Sequence, residues 1–319
     1  MAAPTSPLED PGAGELSTRT PRLPRLELRF YDTAEDLAAA FAGGAVASAG
    51  DLPPAAAVAL AATTPDARAI HYPATTLTAL AFNLRATRGP FADARTRRSL
   101  VAAIDRADLV KDLLGGAGAR AETPIPPSSW AFDAKAAPEI AYDRTAAAKG
   151  LKDAGWRRVD KAWIPPGASK ALAVTILAPE AVANAIAHAA ATRAAAAWTS
   201  LGLATTVEAL PPGELVERLQ AGDFMVAVID VNMGLDPDLY PILASSQART
   251  GGANISGIQD AALDKALVAA RAPSSAASRT QAYGALQKLL GTLQPMPVLF
   301  FRDVVLVVAS DLAGPVARP

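Results

Sequence analysis

Cysteine is absent from the sequence, and histidine occurs only twice, as His71 and His188. Without cysteine the chain has no disulfide, no thiolate metal ligand, no cysteine nucleophile and no lipid-carrying N-terminal cysteine. The two histidines are far apart and neither lies in an HExxH spacing, which leaves little material for a metal site or a Ser-His-Asp triad. The sequence therefore predicts no catalytic residue, no metal site and no cofactor, and we expect a protein that is not an enzyme.

An excess of charge of either sign is also missing, because 30 Lys and Arg residues face 31 Asp and Glu residues. No stretch combines basic residues with aromatic ones, so a nucleic-acid surface is not indicated. No uninterrupted apolar run reaches the roughly 18 residues that a membrane-spanning helix requires. A hydrophobic content of 51% with 19% charged residues is typical of a globular, core-forming chain.

The first 24 residues are rich in Pro, Ser, Thr and Gly. They lack a basic region followed by an apolar one, so this stretch does not resemble a signal peptide. We expect residues 1–24 to be a disordered leader.

Hydrophobic periodicity predicts strands that alternate with helices along the rest of the chain. The predicted strands are 25–31, 56–61, 67–72, 77–84, 171–178, 203–209, 225–231 and 297–308. Helices are predicted at 33–43, from 92 to 115, and at 144–153, 180–201, 215–219, 260–271 and 276–291. This order favours an α/β protein with at least partly parallel strand pairing.

A few residues have clear structural roles in this pattern. Asp93 is expected to cap a helix, and Asp105 to hold the turn between two helices. Trp156 and Trp198 occupy apolar positions at a helix end and on a helix face, and both are predicted to lie in the core.

Six stretches in the order of the chain resemble family 5 extracytoplasmic solute-binding proteins, the capture subunits of peptide-type ABC importers. Two carry the most information: AFNLRATRGPFADARTRRSLVAAIDR at 81–106 and AYDRTAAAKGLKDAGW at 141–156. The others are Leu201-Gly202-Leu203, GDFMVAV with DPDLY, GGANISGIQDAALDKALVAAR at 251–271, and a final set of Arg279, Tyr283, Leu286, Pro295, Pro297 and Phe300.

The resemblance implies a fold of the class II periplasmic-binding-protein type, with two lobes that enclose a ligand in a cleft. Residues 83–298 would form the second lobe, and 25–82 with 299–319 would be a remnant of an incomplete first lobe. It also implies a periplasmic or extracytoplasmic location, a peptide or other small polar solute as ligand, and an ABC permease as partner. The protein would be a monomer.

In this family the loop after the strand at 225–231 lies at the cleft, and peptide binders carry there an aspartate that pairs with the ligand's free amine. The candidates here are Asp230, Asn232, Met233 and Asp236. Asp230 could contact the ligand or form a structural salt bridge, and Asp236 before Pro237 could instead form a turn. Asn254 and Trp130 are further candidates at the cleft rim, although Trp130 could also pack against the Pro-rich loop.

Two functions remain open from the sequence. The first is solute capture by lobe closure for an ABC importer, in which the ligand shifts the population toward a closed state. The second is a degenerate, non-transporting interaction domain derived from such a protein.

Overall fold

The computed structural model describes residues 25–85, 89–234, 236–249, 251–272 and 275–312. The helices are α1 (Ala34–Ala42), α2 (Pro54–Thr63), α3 (Ala94–Ala102), α4 (Arg106–Leu114), α5 (Arg144–Asp153), α6 (Ala185–Leu201), α7 (Pro212–Ala221), α8 (Tyr240–Leu243), α9 (Ala261–Arg271) and α10 (Ala276–Leu293). The strands are β1 (Ser48–Ala49), β2 (Ala67–Phe82), β3 (Gly118–Ala119), β4 (Arg157–Val159), β5 (Ala162–Ile164), β6 (Ala173–Pro179), β7 (Ala204–Leu210), β8 (Val226–Asn232) and β9 (Val298–Ala309). None of the helices in these ranges has both the length and the apolar character needed to cross a bilayer.

One mixed sheet organises the molecule. Its strand order is β1-β9-β2-β8-β6-β7, with β3 added beside β9, while β4 and β5 form a separate hairpin. The long strand β2 is antiparallel to both β8 and β9, whereas β6 is parallel to both β7 and β8. The sheet therefore joins an antiparallel half to a parallel half along β8.

Helices cover both faces of the parallel half. On one face α6 presents small side chains to the strands, and Ala190, Ala191 and Ala194 are fully buried there. On the other face α7 packs Leu215 and Leu219 against Leu177 and Ala227 of the sheet. The helix that connects β6 to β7 and the helix that connects β7 to β8 thus lie on opposite faces of the sheet.

The N-terminal part of the chain packs against the far ends of the two longest strands. A separate cluster joins α1, β1 and α2 to Val305 and Val307 of β9. The pairing of β2 with β9 changes register twice, between Pro73 and Leu77 and between Thr78 and Ala79. These two strands link the N-terminal cluster to the rest of the protein.

Several predicted roles are confirmed. Trp156 and Trp198 are 2% and 0% exposed. Asp93 accepts a hydrogen bond from the Arg95 N–H at the start of α3, and Asp105 accepts one from the Asp108 N–H at the start of α4. Short polar side chains at helix starts satisfy backbone donors that have no partner within the helix.

Two predicted strands are wrong. Residues 25–31 form no strand, and Leu26, Leu28 and Phe30 are 77%, 72% and 92% exposed, because no sheet edge pairs with this segment. Residues 56–61 lie inside α2 instead. Alanine favours the helix, and Pro54 occupies the first helical turn, where its missing N–H costs nothing.

The strands predicted at 67–72 and 77–84 are continuous in the structure and form β2. The prediction for residues 1–24 falls outside the described residues.

Candidate functional site: a cavity where two parallel strands separate

The candidate site lies where β6 and β8 move apart. Their pairing ends at Leu177–Ala227, although β6 continues to pair with β7 as far as Pro179. On its other side β8 stays paired with β2 as far as Asn232. Residues 228–232 therefore have a strand partner on only one side within the described residues, and a cavity opens beside them.

This cavity has a volume of about 440 Å³, within the range of roughly 300–1,000 Å³ of small-molecule sites. Its walls are mostly aliphatic and come from both sides of the opening. They include Pro179, Leu215, Leu219, Ile229, Val231 and Ile242. Polar side chains reach it only at Asn184, Asp230 and Ser256 among the described lining residues.

Asp230 is the centre of a hydrogen-bonded network at this cavity. Its Oδ1 accepts from the Thr78 hydroxyl at 2.6 Å, and its Oδ2 accepts from Asn184 Nδ2 at 2.7 Å. Arg302 donates to the same Oδ2 at 2.8 Å and forms an ion pair with it. The Asp230 and Arg302 side chains are only 18% and 21% exposed. The structural salt bridge that the sequence left open is thus formed.

Asn184 connects this network to a helix. Its Oδ1 accepts from the Ala187 N–H at 3.0 Å and caps α6, while its amide nitrogen holds Asp230. Sequence reasoning missed Asn184 and Arg302 as partners of Asp230. An Asn at the start of an alanine-rich helix was a signal for the cap, but no pattern indicated that Arg302, 72 residues away, would reach the same carboxylate.

Asn232 and Met233 follow Asp230 but have other surroundings. Asn232 accepts from the Thr75 hydroxyl at 2.9 Å and from the Gly234 N–H at 3.0 Å, which stabilises the end of β8. Met233 is 7% exposed and packs in a buried apolar cluster that includes Leu239 and Leu243. Neither residue lines the cavity.

Asp236 and Trp130 meet each other through Arg279. The Arg279 guanidinium donates to both Asp236 carboxylate oxygens at 3.1 Å and lies 4.7 Å from the centre of the Trp130 ring. Trp130 also packs edge-on against Tyr283, and it remains 45% exposed. This aromatic and charged group forms a surface cluster apart from the cavity.

Asn254 is buried and fully engaged in its own loop. Its amide donates to the Ala244 and Ile258 carbonyl groups, each at 3.0 Å. Its Oδ1 accepts from the Ser256 hydroxyl and the Gly257 N–H, each at 2.9 Å. The side chain shapes the loop that forms one wall of the cavity.

Acidic residues and histidines in the described part of the chain lie in separate places. Within the described ranges no three His, Cys, Asp or Glu residues are placed to hold one metal ion. His188 contacts the Pro179 carbonyl at 3.0 Å, and His71 lies 3.4 Å from Asp303.

Known proteins share both the sequence pattern and the fold. Residues 17–253 match the family described as bacterial extracellular solute-binding proteins, family 5, middle region. The oligopeptide-binding protein AppA of Bacillus subtilis is 24% identical over 227 residues, which are 70% of this chain and 41% of that protein.

Solved structures show the same architecture. AppA from Bacillus subtilis in complex with a nonapeptide superposes with a TM-score of 0.73 at 22% identity, over 88% of this chain and 55% of that one. The ABC transporter-associated periplasmic binding protein DppA from Helicobacter pylori, in complex with the peptide STSA, gives 0.70 at 19% identity over 90% and 53%. This chain thus spans about half the length of these solved relatives. It has their mixed α/β periplasmic-binding-protein fold, and it belongs to the bacterial extracellular solute-binding proteins of family 5.

Proposed function

We propose that this chain captures a peptide or a similar small polar solute for an ABC import system and holds it in the cavity between β6 and β8. The observation that carries the proposal is the one-sided pairing of β8 after Ala227. Backbone N–H and C=O groups along such an edge are hydrogen-bonding groups that need partners. An extended peptide can supply those partners by lying along the strand.

The surroundings of this edge support the same function. The cavity lies at the carboxyl ends of β6 and β8, where open α/β sheets bind ligands. The relative AppA is an oligopeptide-binding protein, and its solved structure is a complex with a nonapeptide. Those ligands belong to the relatives, and we extend the ligand class to this chain as a hypothesis.

In this proposal the chain neither makes nor breaks a covalent bond in its ligand. Residues 83–298 act as the second lobe, while 25–82 and 299–319 contribute to the first. A ligand that touches both lobes stabilises the closed state, and a membrane permease recognises that state. The protein works as a monomer outside the cytoplasm.

Thermal unfolding with pools of short peptides tests the proposal. A ligand that binds only the folded protein stabilises it by about 2.7 kcal/mol at a concentration of 100 Kd, so a binding pool raises Tm. The variant Ala183→Trp should abolish this rise, because Ala183 lines the cavity and the larger ring fills it. The matched control is Ala181→Trp, at a position two residues away that is also exposed but does not line the cavity.

A Tm that no peptide or solute pool raises would contradict the proposal. That result would favour the alternative of a non-transporting interaction domain with a solute-binding-protein fold. A Tm rise that persists in Ala183→Trp would place binding outside the cavity.

A further inference from the structure

Every polar side chain that lines the cavity already has partners within the protein. Asp230 accepts from Thr78, Asn184 and Arg302. Both ends of the Asn184 amide are used, by Asp230 and by the Ala187 N–H. The Ser256 hydroxyl, in a residue that is 4% exposed, donates to Asn254 Oδ1 at 2.9 Å. These side chains therefore offer little unused hydrogen-bonding capacity to a ligand.

The only charge among the described lining residues is neutralised. Asp230 carries it, and the Arg302 guanidinium lies 2.8 Å from its Oδ2. A carboxylate that recognises a ligand ammonium group must offer an oxygen without a competing cation, because a charge-assisted pair forms at contact distance. Removing Arg302 from Asp230 would also leave a largely buried cation without its partner.

The walls and the mouth of the cavity are aliphatic. Leu215 and Leu219 of α7 and Ile242 of α8 all line it. At the mouth, Val216 is 50% exposed, and Val182 in the adjoining loop is 92% exposed. Exposed aliphatic side chains around an apolar cavity favour a ligand group that removes them from water.

We propose that the cavity takes the uncharged aliphatic side chain of a peptide ligand, and that Asp230 is a positioning residue which does not bind the ligand's ammonium group. This inference rests on the proposed function and specifies its ligand class. Asp230 holds β2, β9 and the start of α6 around the opening, and specificity comes from the apolar walls. Each additional buried methylene should then strengthen binding several-fold.

Calorimetric titration with four dipeptides tests the inference. They are Leu-Leu with free termini, N-acetyl-Leu-Leu-amide, and Ser-Ser in the same two forms. We expect the two Leu-Leu forms to bind within about threefold of each other, and both Ser-Ser forms to bind at least tenfold more weakly, since hydroxymethyl groups lose the apolar contact.

Substitutions on two helices supply the matched comparison. Val216→Glu should weaken capped Leu-Leu binding at least tenfold, because it places a carboxylate at the apolar mouth. Val268→Glu makes the same change at a 56% exposed helical position of α9 outside the cavity lining, and should bind like the parent. In Asp230→Asn, the affinity ratio of free to capped Leu-Leu should stay unchanged even where both affinities fall.

Contrary results separate the two proposals. A loss of tenfold or more on acetylating Leu-Leu, with that preference removed in Asp230→Asn, would overturn the aliphatic assignment and leave solute capture standing. Equal binding by Leu-Leu and Ser-Ser would also overturn it. Failure of all four dipeptides, together with no Tm rise in the broad peptide and solute pools, would overturn solute capture and this inference together.

Discussion

Two charged side chains that are largely removed from water, Asp230 and Arg97, find their partners in different ways. Asp230, beside the cavity, pairs with the opposite charge of Arg302 on a neighbouring part of the sheet. Arg97, on α3, is 3% exposed and has no carboxylate within ion-pair distance in the described part of the chain. Its guanidinium donates instead to the backbone carbonyl groups of Phe91, Ala92, Leu293 and Gln294.

The surroundings explain why Arg97 needs no acidic partner. Leu293 and Gln294 lie at the C-terminal end of α10, where carbonyl groups lack helical partners and carry partial negative charge. Burial lowers the pKa of Arg97 to about 10, which still leaves the side chain protonated at neutral pH. Arg97, deep in the protein, thus caps a helix. Asp230, at the cavity, forms an ion pair that connects two strands of the sheet.

The largest effect is expected at Arg97. Arg97→Met should lower the free energy of unfolding by about 3 kcal/mol or more, because it leaves several buried carbonyl groups without donors. Urea unfolding followed by circular dichroism measures the change. Arg95→Met, on the exposed side of the same helix, is the control and should have only a small effect. Equal effects of the two variants would contradict the assignment of Arg97 as a cap.

An intermediate effect is expected from the Asp230–Arg302 pair. Asp230→Ala and Arg302→Met should each lower the free energy of unfolding by about 1–3 kcal/mol, since each leaves a partly buried charge without its partner. The double variant should lose less than the sum of the two, by roughly 1 kcal/mol. If the loss of unfolding free energy in the double variant equals the sum of the two single losses, the interaction between Asp230 and Arg302 contributes nothing of its own to stability.

The smallest effect is expected at the exposed end of α3. Arg95 donates to the Asp93 carboxylate and holds the pKa of Asp93 below its ordinary value of 3.8. A carboxyl group whose pKa is lower in the folded state stabilises the protein above that ordinary value, and the contribution is lost as the pH falls through the folded-state pKa. Asp93→Asn keeps the helix cap but removes this dependence.

The measurement for Asp93 is Tm as a function of pH between about 2 and 5. Compared with the parent protein, Asp93→Asn should show a shallower loss of Tm as the pH falls below about 4. Parallel curves for the two proteins would mean that Asp93 has the same pKa in the folded and unfolded chains.

Local patterns explain which parts of the fold could be predicted. Hydrophobic periodicity and capping residues predicted most of the helices and the apolar strands. The burial of Trp156 and Trp198 was predicted from their positions on helices. The segment around Leu28 failed because alternation says only that a strand would be half buried, and not that a sheet edge exists to pair with it. Residues 56–61 failed because a short apolar run fits a strand and a helix equally well.

The candidate site could be predicted only in part. Asp230 was named because it lies at the end of an apolar strand whose following loop is at the cleft in the family that the sequence resembles. It does line the cavity, although its contact with a ligand stays a prediction. Asn232, Met233, Asp236, Asn254 and Trp130 are used by the end of β8, the core, Arg279 and a wall loop. Residue type and order indicated the neighbourhood but not the direction of each side chain.

The sequence by itself determined the family, because six motifs follow one another in the family's order. It also determined the alternation of helices and strands and the helix starts, because these depend on residues within a few positions of one another. Only the tertiary structure decided that β6 and β8 separate after Leu177 and Ala227, and that Arg302 neutralises Asp230. Both outcomes depend on segments that are distant in the chain and meet only when the sheet closes. For that reason the apolar character of the cavity became visible in the fold and not in the residue pattern.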